Sequence, residues 1–342
     1  MKNRHKKLKV LLLFVIGGLT ITGFSSFLPN HRGVKLANMG VLKVVIDAGH
    51  GGHDPGNLGT GRYKDTEKDI ALNVALQLGD YIQRAFPDVD VVYTRKDDKF
   101  VTLKDRTEIA NKAQADLFIS IHCNSAANHE AYGTETFVMA MTKVEANLKL
   151  AQRENSVILL EEGYEQTYKG FDPTDSEGLI ARSIAQSVHL DQSLSLSAKI
   201  QEQYRERVGR RDRGVKQAPY WVISFTTMPS ILTELGFLTN KSEEDFLNSE
   251  NGKVYMASAI YRAFKDYKAE IEGVQIGIPD FEKEIPEASK EEVEQAKKEE
   301  IAKEEEVVVV SSFAVDVAVV VVAAVVVVVV VVVVLLVAVV AM

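Results

Sequence analysis

The stretch LKVVIDAGHGGHDPG, Leu42 to Gly56, decides how this chain is read. Its first part, LKVVID (Leu42 to Asp47), is a short β-branched run that passes directly into a glycine-rich loop carrying His50 and His53. A buried strand whose C-terminal end opens into such a loop is how an α/β sheet presents a site. Working outward, Asp69 to Phe86 sets Ile70, Val74, Leu78 and Ile82 at four-residue steps, which predicts an amphipathic helix closed by Pro87. VDVVYT (Val89 to Thr94) predicts a second strand, TLKDRTEIANKA a second helix and DLFISIH (Asp116 to His122) a third strand. Further on, GTETFVMA and SILTEL predict strands and KVYMASAIYRAFKDY a closing helix. Val41 to about Lys268 therefore reads as one α/β domain, residues 41–269, with a central mostly parallel or mixed sheet flanked by helices.

One segment breaks this rhythm. From Met141 to about Leu179 a helical stretch, VEANLKLAQRENSVILLEEG, leads into YEQTYKGFDPTDSEGL before a second helical run from Ile180 to Arg207. An excursion of that length between a strand and the next helix exceeds ordinary connections and belongs to lids, regulatory elements or loops. Residues 144–179 are thus expected to be a helical, regulatory insertion.

The ends differ from the body. MKNRHKKLK is strongly basic and precedes the apolar run VLLLFVIGGLTITGF, the layout of a signal peptide or signal anchor over residues 1–26, with 27–40 as a short linker. This predicts export to the periplasm or cell envelope, with a membrane tether if the leader is retained. Residues 270–306 are rich in Glu and Lys and read as an acidic linker, and 307–342 form a low-complexity valine-rich tail. In a chain of 342 residues with a formal net charge of −8, phosphate binding lacks its basic surface, so nucleic acid is not an expected partner. Cys123 is the only cysteine, which excludes an internal disulfide framework and any multi-cysteine metal site.

Ligand-type residues concentrate in three places: the DAGHGGHDPG loop, Glu67 at the entrance of the first helix, and His122 at the end of the third strand. All three fall at the same edge of one sheet. Two imidazoles and a carboxylate form the usual catalytic zinc set with an open position for water. Spacing alone does not choose between His50 and His53. Glu234, in SILTELGF, follows an apolar strand and precedes a glycine, a position that suits a general base facing the site. Cys123 neighbours His122, so it should face the core rather than act as a nucleophile. His129 and His189 read as surface residues.

VVIDAGHGGHDPGNLG, EKDIALNVALQL, VVYTR, LKDRTEIAN, ADLFISIHCNSA, GTETFV and MPSILTELGFLTN resemble, in order, the zinc-dependent N-acetylmuramoyl-L-alanine amidases of the amidase-3 family. The resemblance spans roughly Leu42 to Tyr267. It implies a Zn2+ enzyme of cell-wall remodelling and daughter-cell separation that cuts peptidoglycan between N-acetylmuramic acid and the L-alanine of the stem peptide. It also implies His50, Glu67 and His122 as zinc ligands, leaving His53 aside, and Glu234 as the catalytic glutamate. Division-associated members similar to this chain carry a helical insert that covers the site until an activator protein displaces it. By that likeness Glu154, Glu161 and Glu162 are candidate blockers. The alternatives are a zinc peptidase acting elsewhere on the stem peptide, or a non-catalytic wall-binding protein on the same fold.

Overall fold

A computed structural model of the chain describes residues 40–140, 144–168, 176–286, 288–298 and 301. The expected signal segment, the linker after it as far as residue 39, and the valine-rich tail lie outside the described residues. Among the described residues, no helix is long and apolar enough to cross a membrane.

The strands are β1 (Lys43–Ala48), β2 (Asp90–Tyr93), β3 (Leu117–Asn124), β4 (Thr134–Val138), β5 (Asp212–Gln217) and β6 (Ser230–Phe237). They form one sheet in the order β2-β1-β3-β6-β4-β5. Every pairing is parallel except β4 with β6, so the sheet is mixed. Helices α1 (Glu67–Ala85), α2 (Leu103–Ala113), α3 (Glu145–Asn155), α4 (Ser176–Ser187), α5 (Leu190–Val208), α6 (Lys241–Asn248) and α7 (Glu250–Glu272) surround it. β5 is absent from the sequence reading because DRGVKQ is polar, contains a glycine and lies at the sheet edge, so no apolar alternation marks it.

Side-chain alternation divides the core in two. Val44 and Ile46 of β1, Ile119 and Ile121 of β3, and Ile231 of β6 pack against α1, α5 and α7. The intervening residues, Val45, Phe118 and Leu232, pack on the opposite face with Ala110 of α2 and Ala151 of α3. Cys123 belongs to the first cluster, so it faces the core while His122 faces the other way. In α1, Ile70, Val74, Leu78 and Ile82 are all fully buried at the predicted four-residue step, each worth about 1.5–3 kcal/mol in apolar burial. At its start the Thr66 amide donates to Asp69 Oδ2 at 2.9 Å.

Two expectations need correction. Part of the stretch read as a linker is attached to the domain: Ile285 and Val293 are buried, and Glu282 accepts from Lys265 Nζ at 2.7 Å and from Tyr261 Oη at 3.1 Å. The Glu- and Lys-rich composition hides these widely spaced anchors. His189, read as a surface residue, is half-buried immediately before α5.

Beneath the first loop lies a buried polar knot. Arg106 Nη1 donates to Asp47 Oδ1 at 2.7 Å and to Ala48 O at 2.6 Å, while Nη2 donates to His50 O at 2.7 Å. Thr94 and Ser120 hydroxyls donate to the two Asp47 oxygens. Burial alone would raise the Asp47 carboxyl, but Arg106 and these hydroxyls hold it below the ordinary carboxylate value. Asp47→Ala would strand the buried guanidinium, and a loss of about 3–5 kcal/mol in unfolding free energy by urea denaturation is expected. A loss under 1 kcal/mol would show that water or carbonyls replace the carboxylate fully.

Candidate metal centre and active site

β1 ends at Ala48 and the chain turns so tightly against β3 that a Cβ on Gly49 would lie 2.4 Å from His122 Cε1. His50 follows in the left-handed region at φ 58°, unusual for a residue with a side chain. Two contacts hold it there: the Arg106 bond to its carbonyl, and its own Nδ1, which donates to Asp54 Oδ2 at 2.8 Å. With Nδ1 so engaged, Nε2 is directed inward, 3.1 Å from Glu67 Oε1 and 3.2 Å from Glu154 Oε2.

Glu67 is the first residue of α1 and is fixed through both oxygens. Oε2 accepts from the Asn57 amide at 2.8 Å and Oε1 from the Cys123 amide at 2.9 Å. His122, at the end of β3, brings Nδ1 to 3.1 Å from Glu67 Oε1 and 3.4 Å from Glu154 Oε2. Gly56 completes the packing, since a Cβ there would meet His50 Cδ2 at 2.6 Å and Glu67 Oε2 at 2.7 Å.

His50, Glu67, His122 and Glu154 thus offer four buried donor atoms within 4.8 Å of one another, a set that could hold a metal ion. The geometry fits a cation. His50 Nε2 and Glu154 Oε2 are buried and make no hydrogen bond although they approach closely, so they are aimed at a shared point rather than at each other. Bonds of 2.0–2.1 Å in a tetrahedron would set ligand atoms about 3.3 Å apart, and each imidazole nitrogen lies 3.1 to 3.4 Å from the Glu67 and Glu154 oxygens.

Charge follows from this crowding. Burial would depress the imidazoles, yet Glu67, Glu154 and, for His50, Asp54 reverse it: His50 is raised well above its usual value and His122 to about 9. Burial likewise opposes ionisation of Glu67, but the imidazoles bring it down to about 2.

Glu234 of β6 sits in register beside His122 on one neighbouring strand and Glu135 on the other. It is fully buried and neither carboxylate oxygen has a hydrogen-bond partner. Burial, and next the Glu154 charge, push its carboxyl well above the ordinary range. A cavity of about 340 Å3 adjoins the cluster, lined by His50, Glu67, Ser125, Arg153 and Glu154 among others.

The structure brings together His50, Glu67 and His122 and sets Glu234 in register beside His122. His53 instead is exposed, its ring 4.1 Å from that of Phe100. Of the three candidate blockers only Glu154 enters the cluster. Glu162 is exposed, and Glu161 accepts from Tyr168 Oη at 2.8 Å. Sequence reasoning misses Asp54 and two buried arginines, Arg106 and Arg95, the latter donating from Nη2 to Gly49 O at 2.7 Å. Asp54 could have been found from its four-residue spacing to His50, whereas Arg95 and Arg106 sit inside quoted motifs without any sign of their partners.

The model of the N-acetylmuramoyl-L-alanine amidase family, Amidase_3, matches residues 44–266, most of the described domain. The chain belongs to this family. It is 29% identical over 267 residues to the N-acetylmuramoyl-L-alanine amidase AmiA of Escherichia coli (strain K12), covering 74% of this chain and 88% of that protein. It is 34% identical over 224 residues to the uncharacterized protein YqiI of Bacillus subtilis (strain 168), covering 66% and 84%. The crystal structure of an N-acetylmuramoyl-L-alanine amidase from Clostridium difficile 630 is similar at a TM-score of 0.50 and 28% identity, covering 67% of this chain and 97% of that one. The amidase acts on peptidoglycan, at the amide between N-acetylmuramic acid and L-alanine.

Two outcomes follow from the geometry. Asp54→Ala should weaken Zn2+ binding about 10–100-fold in a chelator competition, because His50 loses the partner that orients it, while His53→Ala should leave binding unchanged. In the metal-free chain, His122 protonation adds stability that is complete below its ordinary value of 6.5 and is lost as pH rises through about 9. The thermal midpoint of the metal-free amidase should therefore fall between pH 6.5 and 9, and a flat or rising profile would contradict the imidazolium–carboxylate cluster.

Proposed function

We propose that His50, Glu67 and His122 hold a catalytic Zn2+ and that Glu234 moves the proton in amide hydrolysis. The observation that carries this is the pairing of four convergent ligand atoms, two of which, His50 Nε2 and Glu154 Oε2, make no hydrogen bond, with a buried carboxylate that has no partner of its own. Two imidazoles and a carboxylate match the ligand chemistry of catalytic zinc. Zinc bound there supplies Lewis acidity towards the substrate carbonyl and acidifies a water.

Glu234 does the remaining work. A cation held nearby would offset the burial that raises its carboxyl and favour the ionised form that accepts a proton. It accepts the proton of the attacking water and delivers it to the departing L-alanine nitrogen. Asp54 keeps His50 in the required tautomer, and the Asn57 and Cys123 amides keep Glu67 oriented.

The insertion supports a closed state. Glu154 of α3 fills the place that a catalytic site leaves to water, and Arg153 braces it, Nη2 donating to Glu154 Oε1 at 2.7 Å and Nη1 donating to the Ser125 hydroxyl. Residues 144–179 then act as a plug that an activator protein removes. Export by the N-terminal segment, to the periplasm or envelope, fits a substrate that lies outside the cytoplasm.

Incubation of the zinc-loaded chain with purified peptidoglycan should release new N-terminal L-alanine, lost with chelator. Glu234→Ala should reduce it about 10²–10⁴-fold without loss of bound zinc, and Glu154→Ala should raise it several-fold. New C-termini instead of N-terminal alanine would point to a peptidase. A Glu154→Ala variant that binds zinc yet is no more active would sink the plug.

A further inference from the structure

Glu234 has no hydrogen-bond partner, so the backbone that carries it decides where its carboxyl lies. That backbone is irregular at this point. His122 pairs with Glu234 and Asn124 with Phe237, so two residues of β6, Leu235 and Gly236, stand against Cys123 alone. An extra residue of this kind is a β-bulge, which bends its strand and re-aims the neighbouring side chain. Gly236 supplies the backbone for it at φ 153°, a conformation that favours glycine.

One side chain holds the bulge. Glu243, the third residue of α6, is 1% exposed. Its Oε2 accepts from the Phe237 amide at 3.0 Å, just past the bulge, and from the Gly133 amide at 2.9 Å, just before β4. β4 pairs with β6 through Glu135 and Glu234, so this oxygen ties the two strands together immediately beyond that pair. Its Oε1 meets Arg210 Nη2, and the Arg210 guanidinium lies 4.5 Å over the Phe246 ring. Local sequence aims the carboxylate, because Asn240 caps α6 by accepting from the Ser242 and Glu243 amides. The fit is close. A Cβ on Gly236 would lie 2.7 Å from Glu243 Oε2, an oxygen that its two amides keep from stepping aside.

Resting on the reading of Glu234 as the group that moves the proton, we propose that Glu243 is its positioning residue. By pinning the bulge to the start of β4, Glu243 sets the Glu234 carboxyl at the reach that proton transfer needs. His50, Glu67 and His122 come from the first loop, α1 and β3, and the bonds of Glu243 reach none of their side chains among the described residues. Loss of Glu243 therefore moves the carboxyl relative to the metal centre without dismantling that centre. A displacement of about 1 Å in a reacting group costs on the order of 10²-fold in rate.

The test measures kcat and KM of the zinc-loaded full chain on a soluble muramoyl peptide, with zinc affinity by chelator competition. Glu243→Ala should lower kcat about 10–100-fold and leave KM and zinc affinity within about 2-fold. Glu243→Gln keeps an oxygen for the two amides, so it should restore most of kcat even though Arg210 loses its charge partner. Gly236→Ala keeps the carboxylate and its ion pair but obstructs the bulge. It should lose kcat as Glu243→Ala does, and it carries the test if Glu243→Ala does not fold. A folded Glu243→Ala or Gly236→Ala variant with unchanged kcat, or with its loss in KM or in zinc affinity, overturns the assignment, as does a Gln variant no better than Ala. Glu234→Ala, assayed alongside, separates the two ideas. If it keeps its kcat, the reading of Glu234 fails and the positioning role falls with it; if it is inactive while Glu243→Ala is fully active, only the positioning role fails.

Discussion

The guanidinium of Arg106 is buried, and its bonds to Asp47 and to the carbonyls of Ala48, His50 and Val101 set the path of the chain from β1 into the first loop. Arg95 reinforces it, donating to Ala48 O at 2.9 Å and to Gly49 O and Lys68 O at 2.7 and 2.8 Å. Burial and then the neighbouring Arg106 charge lower Arg95 to about 10, which still leaves it cationic at neutral pH. Two cations against one carboxylate would be costly in an apolar interior. Here the loop carbonyls supply the balance, and in return they are fixed. The left-handed His50 and the close approach of Gly49 to His122 go with those fixed carbonyls, and the Asp54 bond to Nδ1 then sets the direction of Nε2.

The same sheet that builds the apolar core also selects which groups meet. Alternation sends Ile119 and Ile121 to the α1 and α7 side and leaves Ser120 and His122 on the other. Asp47, Glu234 and Glu135 share that second face by register with their neighbours. A single face therefore collects Asp47, His122, Glu135 and Glu234, and α3 packs on that face through Ala151. The reversal of direction at β4 matters too, because it brings a carboxylate from a separate part of the chain next to Glu234.

The covering segment is held by more than Glu154. Tyr168 Oη donates to Glu161 Oε1 and accepts from the Lys104 amide at 3.0 Å, and its ring packs edge-on against Trp221 at 4.6 Å. Asn155 Nδ2 donates to Pro219 O at 3.0 Å and its Oδ1 accepts from the Trp221 amide at 2.7 Å. Among the described residues of the segment Ala151, Val157, Ile158 and Tyr168 are buried hydrophobics, the last two clustering with Trp221.

The order of strands and helices was legible from residues 42 to 122 because each element's apolar period is a local property, and Ile70, Val74, Leu78 and Ile82 are buried as that period requires. The residue types of the centre were legible as well, since imidazole and carboxylate at strand ends and at a helix entrance admit few other uses. β5 was not, because an edge strand bonded on one side needs no apolar alternation. Sequence by itself determined the family, the sheet class and a short set of residues fit for the chemistry. Only the tertiary structure decided that His50 points inward while His53 rests on Phe100, that Glu154 rather than Glu161 or Glu162 reaches the centre, and that Arg95 and Arg106 hold the loop. Each of these depends on where backbone segments far apart in sequence pass one another, and no local period or spacing encodes that distance.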